Sequence, residues 1–335
     1  MTQAAPAPQD SAPPLADSDW PLFGWQEDIR PALKQALQAG RAAVLATLFR
    51  VEGSAPRGPG AQMLFDGPNA SGYFSGDCIE SDVARHAAEV MADGTPRHLI
   101  YGAGSPWIDI RLRCGGTLHI FVERIAPDSG AAYQLLACAE ARTPALWISD
   151  GLHARVEETG DAPLLTASDG PITIARRYDP RRRLIISGGD PTALALAQLG
   201  AEAQFETFLV RTNGPASAPP IDNIHYLRSH PVEALKEIGV DGWTAFVGAT
   251  HDGELDAPAC AYALSRQAGY VGLLGAASRL PGRLEAIRAA GISDELLARL
   301  HAPAGKRNLG KAPWPIAIGI VTEVMEVMNQ AAERA

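Results

Sequence analysis

Basic charge is scarce in this chain. Across 335 residues, 29 Lys and Arg stand against 38 Asp and Glu, a formal net charge of −9. That balance lacks the basic face a nucleic-acid backbone requires, although Arg57, Arg111 and Arg113 can still form a local basic pocket. Cysteine is sparse too. The four thiols (Cys78, Cys114, Cys138, Cys260) form no Cys-x-x-Cys pair and no dense framework, which argues against a disulfide scaffold and for free thiols in a reducing, cytoplasmic compartment. Long apolar runs are missing. None approaches the ~20 residues of a membrane span, so no integral membrane segment is expected. The first 19 residues have neither the basic start nor the apolar centre of a secretory signal, and their Ala, Pro, Asp and Ser content predicts a disordered tail. What remains, 46% hydrophobic and 20% charged, is the composition of a soluble globular protein long enough for two domains.

Periodicity divides the chain. Residues 26–39 carry Ile29, Leu33 and Leu37 at helical spacing and stop at Gly40. Strands are expected at 42–50, 61–65, 97–101, 108–112 and 117–122, with a helix over 79–91, so residues 20–125 read as one mixed α/β domain. Residues 126–180 are less patterned, with a helix near 133–141 and a strand at 145–149, and read as a connecting segment or subdomain. From 181 to 330 strands and helices alternate with short links, which predicts a Rossmann-like parallel sheet covered on both faces.

The stretch 53–80 concentrates the chemistry. Gly53, Gly58, Gly60 and Gly76 can take positive φ, so the backbone can approach a ligand closely. Such loops present N–H groups to anions, and Arg57 adds a rigid fork of donors. Cys78 precedes a helical run, where the dipole lowers thiol pKa. The same residues also suit two hairpin turns and a buried cysteine. In the second half, the turn Ser187-Gly188-Gly189-Asp190-Pro191 lacks the spaced glycines of Gly-x-Gly-x-x-Gly, and Asp190 sets a negative charge where a pyrophosphate belongs. NAD is disfavoured; Arg211 would suit a ribose phosphate as in NADP sites, against the same objection from Asp190. His251 and Asp252, at the C-terminal edge of a strand, are placed for acid–base or metal work or for capping the next helix.

These residues resemble the XdhC/CoxI family, accessory proteins of molybdenum hydroxylases such as xanthine dehydrogenase. The likeness runs through Gly53-Ser54-Ala55-Pro56-Arg57, Gly60-Ala61, Met63-Leu64, Gly72, Ser75-Gly76, Cys78, Glu80, Asp82-Val83, Cys114-Gly115-Gly116 and Phe121-Val122-Glu123. It is thinner later, at Thr250-His251-Asp252, Asp256, residues 270–275, Arg283, 291–293 and His301-Ala302-Pro303. Asp77 replaces the family's usual second glycine and would raise the Cys78 pKa. The family's Gly-Ala-Gly-His turn here reads Ser187-Gly188-Gly189-Asp190, and its late Pro-Ile-Gly-Leu-Asp-Ile-Gly-Ala segment is altered at 303–310, which marks the C-terminal half as divergent.

The resemblance implies a non-catalytic chaperone that binds the molybdenum cofactor (molybdopterin), holds it for sulfuration and inserts it into a hydroxylase. It implies cofactor contacts at Gly53, Ser54, Arg57, Gly60, Ser75, Gly76, Cys78, Glu80, Cys114, Gly115, Gly116, His251 and Asp252, with Cys78 facing the metal. Implied partners are a xanthine or aldehyde dehydrogenase-type apoenzyme and a cysteine desulfurase, and a homodimer is compatible. The competing reading is an NAD(P)-dependent oxidoreductase using the Rossmann-like half.

Overall fold

The computed structural model describes residues 27–67, 69–76, 79–102, 112, 115–159, 162–168 and 171–334, with backbone alone at 277 and 331–334. The chain divides between Asp179 and Pro180 into two compact units.

The first unit is built on an antiparallel sheet of β1 (Ala43–Glu52), β2 (Gln62–Phe65), β3 (Ala70–Gly72), β4 (Arg97–Tyr101) and β5 (Thr117–Ile125), in the order β3-β2-β1-β5-β4. Central β1 is buried from Ala43 through Phe49 because both of its faces are covered. Val44, Ala46 and Leu48 pack with Val83, Ala87 and Val90 of α2 (Glu80–Asp93). Ala43 and Leu45 face α1 (Arg30–Gln38) and α3 (Gly130–Glu140). A strand covered on both faces reads as an unbroken apolar run, which is why it was legible. Helix α2 stops at Gly94, whose φ of 70° supplies the left-handed cap. The strand expected at 108–112 lies outside the described residues except for buried Leu112.

Residues 126–180 are more ordered than their pattern suggests. They form α3 and a second antiparallel sheet of β6 (Ala145–Ser149), β7 (Ala154–Glu158), β8 (Leu165–Ala167) and β9 (Ile174–Tyr178), ordered β7-β6-β9-β8. Trp147, Val156 and Tyr178 share a core with Ala43 and Leu45 of β1. In β7 only Val156 is buried, so four of its five residues are exposed and hid the strand.

The second unit is a parallel sheet of β10 (Arg183–Ser187), β11 (Glu206–Val210), β12 (Ile224–Leu227), β13 (Thr244–Gly248), β14 (Tyr270–Leu273) and β15 (Leu300–His301). Its order, β12-β11-β10-β13-β14-β15, reverses between β10 and β13, the arrangement of a Rossmann-like domain. Helices α4 (Pro191–Glu202) and α9 (Pro313–Arg334) cover one face. The other is covered by α5 (Pro231–Ile238), α6 (Gly253–Ser265), α7 (Leu280–Ala289) and α8 (Asp294–Leu297). The mixed α/β half followed by a parallel-sheet half is therefore as the sequence predicts. Among the described residues, no helix is long and apolar enough to cross a membrane.

Candidate functional site

Strand direction brings the glycine turns of the first unit to one end of its sheet. Glu52 at the end of β1 pairs with Thr117 at the start of β5, so the loops that follow and precede them are neighbours. Tyr101 at the end of β4 pairs with Leu118. The contact is backbone on backbone: a Cβ on Gly116 would lie 2.1 Å from the Ser54 carbonyl oxygen, and one on Gly102 would lie 2.2 Å from the Gly116 oxygen. Gly53, at φ 77°, would meet the Gly116 Cα at 3.5 Å. Only glycine permits this three-way junction. Gly60 and Gly76 also adopt positive φ, whereas Gly58 does not and stands in open space. The Gly58 expectation fails because its turn is closed by the bond from Ala61 N–H to the Gly58 carbonyl without a left-handed residue there.

Arg57 is held over the Tyr73 ring, its guanidinium carbon 4.5 Å from the centroid, and pairs with Glu27 at 3.3 Å. Tyr73 follows β3 directly, so the cation is fixed between the loops after β1 and β3. From the second sheet, Arg176 Nε donates to the Gly60 carbonyl at 2.9 Å and so pins the far end of loop 53–60.

Glu80 is turned inward. Its carboxylate, 4% exposed, accepts from the N–H groups of Phe74 (3.0 Å), Ser75 (2.7 Å), Gly76 (3.1 Å) and Ile79 (3.1 Å) and from the Ser75 hydroxyl (2.8 Å). Burial pushes this carboxyl up, but the bonds from Ser75, Phe74 and Ile79 outweigh it and hold the pKa below its ordinary value. An internal anion thus fills the nest that the loop sequence offers. Ser75, Gly76 and Glu80 are brought together, and the bond set makes Glu80 the organiser of this loop. Asp77, Cys78, Arg111, Arg113 and Cys114 lie outside the described residues. Among those described, no three His, Cys, Asp or Glu side chains form a metal-holding group.

The second unit uses its acidic residues as caps. Asp190 accepts from Ala193 N–H at 2.8 Å and closes the N-terminus of α4, where a pyrophosphate would otherwise sit. Its other oxygen stands 3.3 Å from Nε2 of His251, which has a φ of 62°. Asp252 caps α6 through Glu254 N–H at 2.9 Å. Asp256, 1% exposed, does not cap: it takes the Thr250 hydroxyl at 2.7 Å and faces Arg283 at 3.4 Å. Burial raises the Asp256 pKa despite Thr250 and Arg283. Arg211 lies across the turn, where a Cβ on Gly189 would meet its side chain at 2.5 Å.

Sequence reasoning did not single out Tyr73 or Gly102, and it placed Glu123 in the family likeness without giving it a role. Tyr73 and Gly102 act through partners distant in sequence, and only the strand register reveals them. Glu123, on β5, is 3% exposed and accepts from Trp147 Nε1 at 3.3 Å and from the Ser149 hydroxyl; burial pushes its carboxyl up to about 7.

Comparison with known proteins supplies the family. Residues 36–102 match the XdhC and CoxI family, and residues 184–324 match the XdhC Rossmann domain. The molybdenum cofactor insertion chaperone PaoD of Escherichia coli (strain K12) is 29% identical over 299 residues, covering 88% of this chain and 86% of PaoD. A probable xanthine dehydrogenase subunit of Bacillus subtilis (strain 168) is 27% identical over 332 residues, covering 90% of this chain and 97% of that protein. The fold matches a crystal structure of a xanthine dehydrogenase from Bacillus halodurans with TM-score 0.71 at 21% identity, covering 90% and 96% of the two chains. With both halves matched, the second in spite of its altered turn, the chain belongs to the XdhC/CoxI family.

Proposed function

We propose that this protein is an accessory chaperone that binds the molybdenum cofactor, holds it during exchange of an oxo for a sulfido ligand, and delivers it to a xanthine or aldehyde dehydrogenase-type apoenzyme. The observation that carries the reading is the glycine junction of Gly53, Gly102 and Gly116 with Arg57 fixed beside it. The names of the relatives support it: one is a cofactor insertion chaperone and another belongs to a xanthine dehydrogenase.

The residues fit such a group. A pterin phosphate needs backbone N–H groups without Cβ atoms in the way, and a fixed cation. Gly53, Ser54 and Gly116 supply the backbone and Arg57 the charge, while Gly60 and Gly115, whose N–H groups donate to the Leu48 and Leu112 carbonyls, shape the turns around them. When bound, the cofactor supplies a molybdenum centre able to exchange a terminal ligand. Cys78, with Cys114 as second candidate, is assigned to face that centre, as a thiolate suits a soft ligand site. Glu80 holds Phe74, Ser75, Gly76 and Ile79 to its carboxylate. Asp252 caps α6 and His251 faces Asp190, so a cofactor contact at either residue would compete with a bond already made. Sulfur would come from a cysteine desulfurase partner.

Delivery is tested by incubating the cofactor-loaded protein with a xanthine dehydrogenase-type apoenzyme and following its activity. Activation by the wild type and none by Cys78→Ala is expected. No activation by either protein, while free cofactor activates the same apoenzyme, overturns the delivery role.

A further inference from the structure

Beside the glycine junction lies a chain of three polar side chains that no structural task explains. Opposed residues of an antiparallel pair point to the same face, so Glu52 and its partner Thr117 share a face with His119, two residues along β5. His98 of β4 is opposite Phe121 and joins that face. His98 Nε2 lies 3.0 Å from His119 Nδ1, and His119 Nε2 lies 3.5 Å from Glu52 Oε1. That Nε2 is buried and has no hydrogen-bond partner. Phe49 walls both imidazoles, with centroids at 5.1 and 5.9 Å. Burial, then the neighbouring His119 and Arg50, hold the His98 pKa below its ordinary value, so its ring is neutral at pH 7. The Glu52 side chain is 61% exposed and immediately precedes Gly53.

We propose that Glu52, with His119 3.5 Å behind its carboxylate and the His98 ring next to His119, is a subsite for the amino-oxo-pyrimidine edge of a 2-amino-4-oxopteridine. This rests on the cofactor reading above and names which end of the ligand lies here. Such an edge presents a ring N–H and an exocyclic amine side by side, two parallel donors. A carboxylate is the side chain that accepts both at once. The exposed imidazole offers a flat face against which a bicyclic heterocycle stacks. With the pterin edge on Glu52, the phosphate end is left to loop 53–60 and Arg57, on the same end of the sheet. Guanine carries the same pair of donors, so the ligand source must be separated by experiment.

The test is a fluorescence titration of the full chain with 6-hydroxymethylpterin and with 6-hydroxymethyllumazine, whose 2-oxo group replaces the amine, with GMP as competitor. The wild type is expected to prefer the pterin by at least about tenfold, the scale of one lost charge-assisted bond. Glu52→Gln offers one acceptor and one donor, which matches lumazine, so the preference should reverse. A purely structural Glu52 would leave the preference unmoved, and an unchanged ratio in Glu52→Gln overturns the subsite. GMP competing as tightly as the pterin overturns the pterin assignment. The cofactor reading fails separately, if the wild type binds hydroxymethylpterin with the Glu52-dependent preference yet purifies without molybdopterin from a competent host.

Discussion

At the scale of single residues, two features decide whether the loops can form. Glu80 accepts five hydrogen bonds from the described residues of its own loop, so removing the carboxylate strands buried donors. Glu80→Ala is expected to cost roughly 3 kcal/mol or more in urea unfolding, with Glu80→Gln losing less. The pH dependence has a definite sign. Its folded pKa lies below the ordinary 4.5, so the stability it adds is full above pH 4.5 and fades as pH falls through the lower folded value. Glu80→Gln should lack that acid-side loss. Gly116 is the second feature, because a Cβ there would sit 2.1 Å from a backbone oxygen. Gly116→Ala should lower the unfolding midpoint and the bound pterin together, while Gly58→Ala, in open space and without positive φ, should leave both as they are. The sequence made the glycines and Arg57 visible as a candidate site. It could not show that Glu80 points inward, since a family-motif acid before a helix looks the same whether it binds a ligand or its own loop.

At the scale of elements, β5 ties the two sheets of the first unit together through Glu123, which receives Trp147 and Ser149 from β6. With a pKa near 7 against an ordinary 4.5, the folded state keeps a proton that the unfolded chain has already released between those values. Stability from this group is therefore full below pH 4.5 and falls as pH rises through 7. Glu123→Gln removes the slope, so between pH 4 and pH 8 its stability relative to wild type should improve by on the order of 3 kcal/mol, measured by denaturant titration at each pH. A parallel shift at both pH values would contradict the buried, protonated carboxyl. Legibility at this scale followed burial. Strands covered on both faces, such as β1 and β13, announced themselves as apolar runs. Strands β7 and β8 bury few residues and were hidden, as was the two-residue β15.

At the scale of the whole molecule, the division of labour is between a first unit with a tight glycine junction beside Arg57 and a second in which Asp190 and Asp252 already cap α4 and α6. The departures of the second half from its family pattern are intelligible in this light. Asp190, the altered residue of the turn, gives α4 its own anion, while the family-like Asp256–Arg283 pair with Thr250 fastens the strand edge beside α6. The parallel order itself was legible from the alternation of elements, because short links leave few topologies open.

The most direct measurement of the central claim is the pterin content of the purified protein. The full chain would be produced in a host competent for molybdopterin synthesis, and the bound pterin oxidised and read by fluorescence beside Arg57→Ala and Cys78→Ala. The account predicts pterin bound to the wild type and a clear loss in both variants. Pterin absent from the wild type, even after incubation with free cofactor, would contradict it, as would equal loading of all three proteins.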